Sequence, residues 1–119
     1  MKYDILNRWT GKVQFTADID CPESAVHSVK VGLAVLWAFK TGASLDGARL
    51  DGANLDGASL IDASLIDASL IDASIIGASL DGARLDRARL DGANLIDANL
   101  DGANLVGARL DRARLDGAN

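Results

Sequence analysis

From Ala43 onward the apolar positions recur every five residues without a slip. The blocks read ASLDG, ARLDG, ANLDG, ASLID three times, ASIIG, ASLDG, ARLDR, ARLDG, ANLID, ANLDG, ANLVG, ARLDR and ARLDG, followed by a final AN. Alanine opens all fifteen blocks, and leucine holds the third position except at Ile75. The second position is Ser, Arg or Asn, the fourth Asp, Ile or Val, and the fifth Gly, Asp or Arg. A period of five fits neither a helix nor a strand. On a helix each leucine would land roughly 140° from the last, leaving no apolar face. On a straight strand an odd period sends successive leucines to opposite faces. A chain that turns a corner every five residues satisfies the pattern. First and third positions then point inward as Ala and Leu, and the other positions face water or lie in the turn. Successive coils stack about 4.8 Å apart and pair like strands, as in a solenoid whose units contact their neighbours along the axis.

Residues 1–42 follow a different rhythm. Val13, Phe15, Ala17 and Ile19 alternate with Gln14, Thr16 and Asp18, which predicts a half-buried strand. Tyr3 to Leu6 is its expected partner, with Asn7 to Gly11 as the turn. Residues 22–40 read as a helix. Asp20 with Glu23 suggests a capping box, Pro22 suits a first turn, and Thr41-Gly42 suits the stop. Val26, Val29, Leu33, Leu36, Trp37 and Phe39 form its expected apolar face. A solenoid end exposes raw core and unpaired backbone. Leu33, Leu36, Trp37 and Phe39 are therefore the candidates to cover the N-terminal end of the core.

The register of residues 43–119 resembles the pentapeptide repeat family, whose consensus is A(D/N)LXX with a central leucine or phenylalanine. The resemblance implies an all-β solenoid, a right-handed quadrilateral β-helix with four blocks per coil and just under four coils. The domain division is then 1–42, a hairpin-and-helix cap, and 43–119, the β-helix. Two departures stand out: no central position is Phe, and no second position is Asp.

Stacking blocks four apart, as the family fold implies, sorts the outward residues into faces. Ile61, Ile66, Ile71 and Ile76 fill four consecutive fourth positions and form an apolar belt around one full turn. Side-chain stacking and contact with the leader or a partner both remain open for it. A one-sided contact needs no belt, which favours stacking for at least two of the four. With Ile96 and the acidic positions Asp46, Asp51 and Asp56, these residues are the candidate interaction surface. Leu105, Leu110 and Leu115 are the candidate dimer end, since the last block stops in phase without a lid. A tail-to-tail homodimer is the expected assembly.

Charge narrows the functional classes. The chain carries −5 overall. Residues 43–119 hold thirteen Asp and seven Arg, a net −6, while residues 1–42 carry +1. That balance disfavours direct nucleic-acid binding. One cysteine, Cys21, permits no intramolecular disulfide, and a cytoplasmic location is expected. The most apolar window, Val29 to Phe39, is too short to span a membrane. His27 and Cys21 have no catalytic partner at a recognisable spacing, and no zinc, EF-hand or calcium β-roll pattern occurs. No cofactor or metal is expected, and no enzymatic role. The expectation is a rigid acidic scaffold that binds an unidentified protein. The alternative, implied by the resemblance, is a DNA-mimicking inhibitor or protector of DNA gyrase or a related type II topoisomerase.

Overall fold

The computed structural model describes residues 1–119. Its elements are β1 (Lys2–Leu6), β2 (Val13–Asp18) and α1 (His27–Thr41), followed by the repeats. β1 and β2 pair antiparallel, with Tyr3 opposite Ala17 and Ile5 opposite Phe15. Ile5, Ala17 and Ile19 are buried on the hairpin's inner side.

From residue 49 to 114, ten parallel bridges join residues twenty apart, beginning Arg49–Ser69 and Asn54–Ser74 and ending Asn94–Arg114. Twenty residues are four blocks, so the chain returns above itself after four corners. One pattern of backbone bonds repeats throughout. The second-position N–H donates to the first-position carbonyl one circuit back, as Ser69 does to Ala48 (2.9 Å). The third-position N–H donates to the second-position carbonyl one circuit on, as Leu50 does to Ser69 (2.7 Å).

Each corner is closed by a bond from the first-position N–H to the third-position carbonyl of the block before, such as Ala48 to Leu45 at 3.1 Å. The fifth position is then residue i+2 of a turn, and it has positive φ in all fifteen blocks. That is the type II signature, which glycine adopts without strain. Glycine occupies nine of these corners; Asp62, Asp67, Asp72, Arg87, Asp97 and Arg112 occupy the others, with φ between 58° and 64°.

The corners aim Ala and Leu inward. The third-position side chains from Leu50 to Leu95 are at most 2% exposed. Each fully buried leucine contributes roughly 1.5–3 kcal/mol before chain entropy is subtracted. Burial fades toward the last residues: Leu100, Leu105 and Leu110 are half-buried and Leu115 is 43% exposed.

The helix departs from the sequence expectation in two ways. It begins at His27 rather than at residue 22, with Val26 as N-cap and no side-chain capping bond. Ile19 is held extended by Met1, whose carbonyl accepts the Ile19 N–H (2.9 Å) and whose ammonium donates to the Ile19 carbonyl (2.6 Å). The chain then spends Asp20 to Val26 turning, including a tight turn from Pro22 to Ala25, so Asp20 and Glu23 form no capping box. The stop is a left-handed Gly42 whose N–H reaches the Ala38 carbonyl.

The second departure is the face. α1 buries Val31, Gly32, Ala34, Val35 and Ala38. Val26, Leu36 and Phe39 are exposed, while Leu33 and Trp37 are half-buried against the core. Small residues win because the helix lies very close to the first circuit. A Cβ on Gly32 would collide with the Asn54 carbonyl oxygen. A face of Leu and Phe would hold the axis too far away for the Ser28 carbonyl to accept the Asn54 N–H, as it does at 3.0 Å. Trp37 instead stacks on Phe15, with ring centroids 5.9 Å apart.

Candidate interaction surface

The acidic positions singled out from the sequence are tied into the frame. Asp46 Oδ1 accepts from the Ser64 hydroxyl (2.7 Å) and from the Ile66 N–H (3.1 Å). Asp51 accepts the same way from Ser69 (2.5 Å) and Ile71 (3.1 Å), and Asp56 from Ser74 (2.5 Å) and Ile76 (3.0 Å). Each carboxylate is therefore a rung to the next circuit, joining a fourth position to a serine eighteen residues on. The sequence carries the signal, because Asp in one block and Ser eighteen residues later recur three times in a row.

Where the partner position is not serine, the rung is missing. Asn99 and Asn104 turn Oδ1 onto the N–H of their own fourth positions, Asp101 (3.1 Å) and Val106 (3.0 Å). Asp81 and Asp86, eighteen residues earlier, each keep a buried Oδ1 without a hydrogen-bond partner, and so does Asp91, which faces Arg109. Leaving a buried acceptor unsatisfied typically costs about 1–3 kcal/mol.

The isoleucine belt is uneven. Ile66 and Ile71 are half-buried, whereas Ile61 and Ile76 are 45% and 37% exposed. Ile96 is half-buried one circuit beyond Ile76. The backbone N–H groups of Ile66, Ile71 and Ile76 are the ones held by the aspartate rungs.

Charge is unevenly placed along the axis. Residues 43–82 hold seven Asp and one Arg; residues 83–119 hold six of each. The second half is laced internally. Arg109 bridges Asp91 and Asp111 at 3.6 and 3.3 Å, and Arg84 meets Asp86 at 3.5 Å. Arg87 forks onto Asp67, with Nε to Oδ1 at 2.8 Å and Nη2 to Oδ2 at 3.3 Å. That hydrogen-bonded carboxylate pushes the Arg87 guanidinium above its ordinary range. On the side built from residues 58–62, 78–82 and 98–102 there is no arginine, and Asp62, Asp81 and Asp101 stand alone.

The leader supplies the bonds that a preceding circuit would make. The Leu6 carbonyl accepts the Arg49 N–H (2.8 Å), and the Arg8 N–H donates to the Gly47 carbonyl (2.8 Å). The Gln14 side-chain amide donates to the carbonyls of Ser44 (2.8 Å) and Asp46 (2.9 Å). In the sequence Gln14 reads only as an outward residue of an alternating strand, with no sign of this contact. At the far end, the N–H groups of Leu105, Leu110 and Leu115 have no backbone acceptor.

Titratable groups do not converge into a catalytic arrangement. His27 is exposed, and its Nδ1 lies 2.9 Å from the Tyr3 hydroxyl. Partial burial pushes the Tyr3 phenol above its ordinary value. Cys21 is a half-buried free thiol beside the Met1 sulfur (3.9 Å). No group of three His, Cys, Asp or Glu side chains is placed to hold a metal ion, and no helix is long and apolar enough to cross a membrane.

Comparison with known proteins bears on this geometry. The family model for pentapeptide repeats matches eight copies, over residues 43–82, 68–105 and 83–119. No curated protein matches the chain. Among solved structures, the pentapeptide repeat protein Rfr23 from the cyanobacterium Cyanothece 51142 is 42% identical, with a TM-score of 0.59. The match covers 60% of this chain and 48% of Rfr23, so the chain spans about half that protein's length. A pentapeptide repeat protein from Nostoc PCC 7120, alr5209, is 30% identical over 71% of this chain and 70% of its own, with a TM-score of 0.39. One from the Arabidopsis thaliana thylakoid lumen is 24% identical over 58% and 62%, with a TM-score of 0.46. With its five-residue register, its turn at every fifth position and its twenty-residue pairing, the chain belongs to the pentapeptide repeat family, whose known structures are right-handed quadrilateral β-helices.

Proposed function

We propose that the protein is a non-enzymatic scaffold: just under four coils of β-helix, closed at the N-terminal end by residues 1–42, that binds a protein partner through its acidic sides. The observation that carries this reading is the use of Asp46, Asp51 and Asp56 as rungs between circuits. A carboxylate fixed by two donors is a rigid, preorganised surface charge rather than a mobile acid. The side bearing Asp62, Asp81 and Asp101 offers a basic partner three carboxylates without a competing arginine. Complementary charge of this kind steers association and confers salt dependence. The test is cross-linking of the purified protein in extract of its source cells, with an Asp62→Asn, Asp101→Asn variant as control. A specific partner lost in the variant and at high salt supports the scaffold; partners unchanged by both contradict it.

One observation favours the second reading, a mimic of DNA. The whole net −6 lies in residues 43–82, two circuits long. At the sheet spacing that is roughly 10 Å, and duplex DNA carries about six charges over that length. A gyrase supercoiling assay separates the two. Salt-sensitive inhibition that disappears in Asp46→Asn, Asp51→Asn, Asp56→Asn supports the mimic; no inhibition at low salt leaves the scaffold. Asparagine is the proper substitution because it retains an acceptor for each rung, whereas charge reversal would break the frame being tested.

A further inference from the structure

The outer arc of α1 is only partly covered by the protein, although its chemistry is that of a buried face. Between Lys30 and Lys40 the helix holds no polar side chain: Val31, Gly32, Leu33, Ala34, Val35, Leu36, Trp37, Ala38 and Phe39 follow one another. A helix apolar on all sides belongs in an interior. Here Val31, Ala34, Val35 and Ala38 are buried against the protein. At about 100° per residue, Val26, Val29, Leu33, Leu36 and the stem of Lys40 share the opposite arc. Val26 is 64% and Leu36 38% exposed, and Val29 and Leu33 are half-covered. A shallow notch lined by Val29, Gly32, Leu33, Leu36 and Asn54 runs beside the stripe.

We infer that this stripe pairs with the same stripe of a second copy, the two α1 helices antiparallel about a two-fold axis near Leu33. Three features select this occupant. First, two copies repel through residues 43–82, which carry the net −6, and not through residues 1–42, which carry +1. Second, the stripe is flanked by opposite charges at its two ends, exposed Glu23 before the helix and exposed Lys40 in its last turn. An antiparallel pairing brings Lys40 toward the second copy's Glu23 twice, whereas a parallel pairing sets like charges together. Third, antiparallel packing opposes the helix dipoles. Leu33 then meets Leu33, and Leu36 meets Val29. The stripe is one helix long, about 20 Å, and falls short of the roughly 800 Å² per partner of a standard stable interface. The dimer is therefore weak and reversible. It uses the end opposite to Leu105, Leu110 and Leu115 and does not depend on the scaffold reading.

Sedimentation velocity of the full chain at tens to hundreds of micromolar is the test. The weight-average mass rises toward the dimer. Val26→Lys with Leu36→Lys weakens association at least tenfold while far-ultraviolet circular dichroism remains that of the folded chain; an acidic residue at Val26, the N-cap, would itself stabilise the helix. A zero-length cross-linker joins Lys40 of one copy to Glu23 of the other in a species of dimer mass. A chain monomeric at the highest concentration overturns the inference. So does a dimer that survives the α1 substitutions and is abolished by Leu115→Glu.

Discussion

Arg112→Gly is expected to stabilise the protein, although it deletes a large side chain. Arg112 sits at a corner with φ of 61°, its side chain is exposed, and no hydrogen bond or ion pair engages it. An L-residue held in the left-handed region costs roughly 1–2 kcal/mol. Glycine removes that cost and adds about 0.5–1 kcal/mol of unfolded-state entropy. The net gain is about 0.5–1 kcal/mol, a rise of roughly 2–4 °C in the melting midpoint for a chain of this size. The mirror substitution is Gly102→Ala. Its φ is 72° and its nearest neighbour is the Gly82 backbone at 3.8 Å, an ordinary contact, so it reads conformational strain without collision. It should cost about 1 kcal/mol. Arg87→Gly is the internal contrast: φ is 58°, but the substitution also loses the fork onto Asp67, so it gains less than Arg112→Gly. Thermal unfolding by circular dichroism measures all three. If Arg112→Gly destabilises and Gly102→Ala is neutral, the fifth position is not a left-handed corner and the turn argument fails.

The remaining predictions concern the rungs, the leader and the titrating hydroxyl. Ser69→Ala removes one of two donors to Asp51 at a buried position and should cost about 1–2 kcal/mol in urea unfolding. Asn99→Ser should stabilise by about 1 kcal/mol by giving the orphaned Asp81 Oδ1 a hydroxyl donor; a loss of stability would refute the eighteen-residue pairing rule. Gly32→Ala should destabilise by more than 2 kcal/mol, since the methyl group meets backbone rather than a movable side chain. Tyr3 has a folded pKa above its unfolded value, so the protonated phenol adds stability that is complete below about pH 10 and is lost as pH rises through the folded value. Tyr3→Phe should flatten that alkaline limb in a pH series of melting midpoints.

The repeats were legible because the code is local. Alanine, leucine and a corner residue, most often glycine, each occupy a fixed place in five residues, and burial from Ala48 to Ala98 follows that register except at the half-buried Ala58. The leader was legible as a hairpin and a helix, but not in its boundaries or orientation. The helix start depends on Met1 holding Ile19, a contact between residues eighteen apart. The buried face is not legible from side-chain size, because close approach to Asn54 selects Gly32, Ala34 and Ala38. Asp46, Asp51 and Asp56 stand out in the sequence for their charge, yet their bonds run to the next circuit, where only the four-block stack brings a serine within reach.

The central claim is that residues 1–42 take up part of the hydrogen bonding of the first circuit from its end. Native-state hydrogen exchange at single-residue resolution tests it most directly. The second-position amides from Arg49 to Ser64, which precede the ladder that begins at Ser69, divide into two groups: Arg49 and Asn54 donate to the leader carbonyls of Leu6 and Ser28, whereas Ser59 and Ser64 have no backbone acceptor. The account predicts slow exchange at Arg49 and Asn54, approaching that of the interior amides of Ser69 and Ser74, and fast exchange at Ser59 and Ser64. Equal, fast exchange at all four would contradict it and place the leader elsewhere.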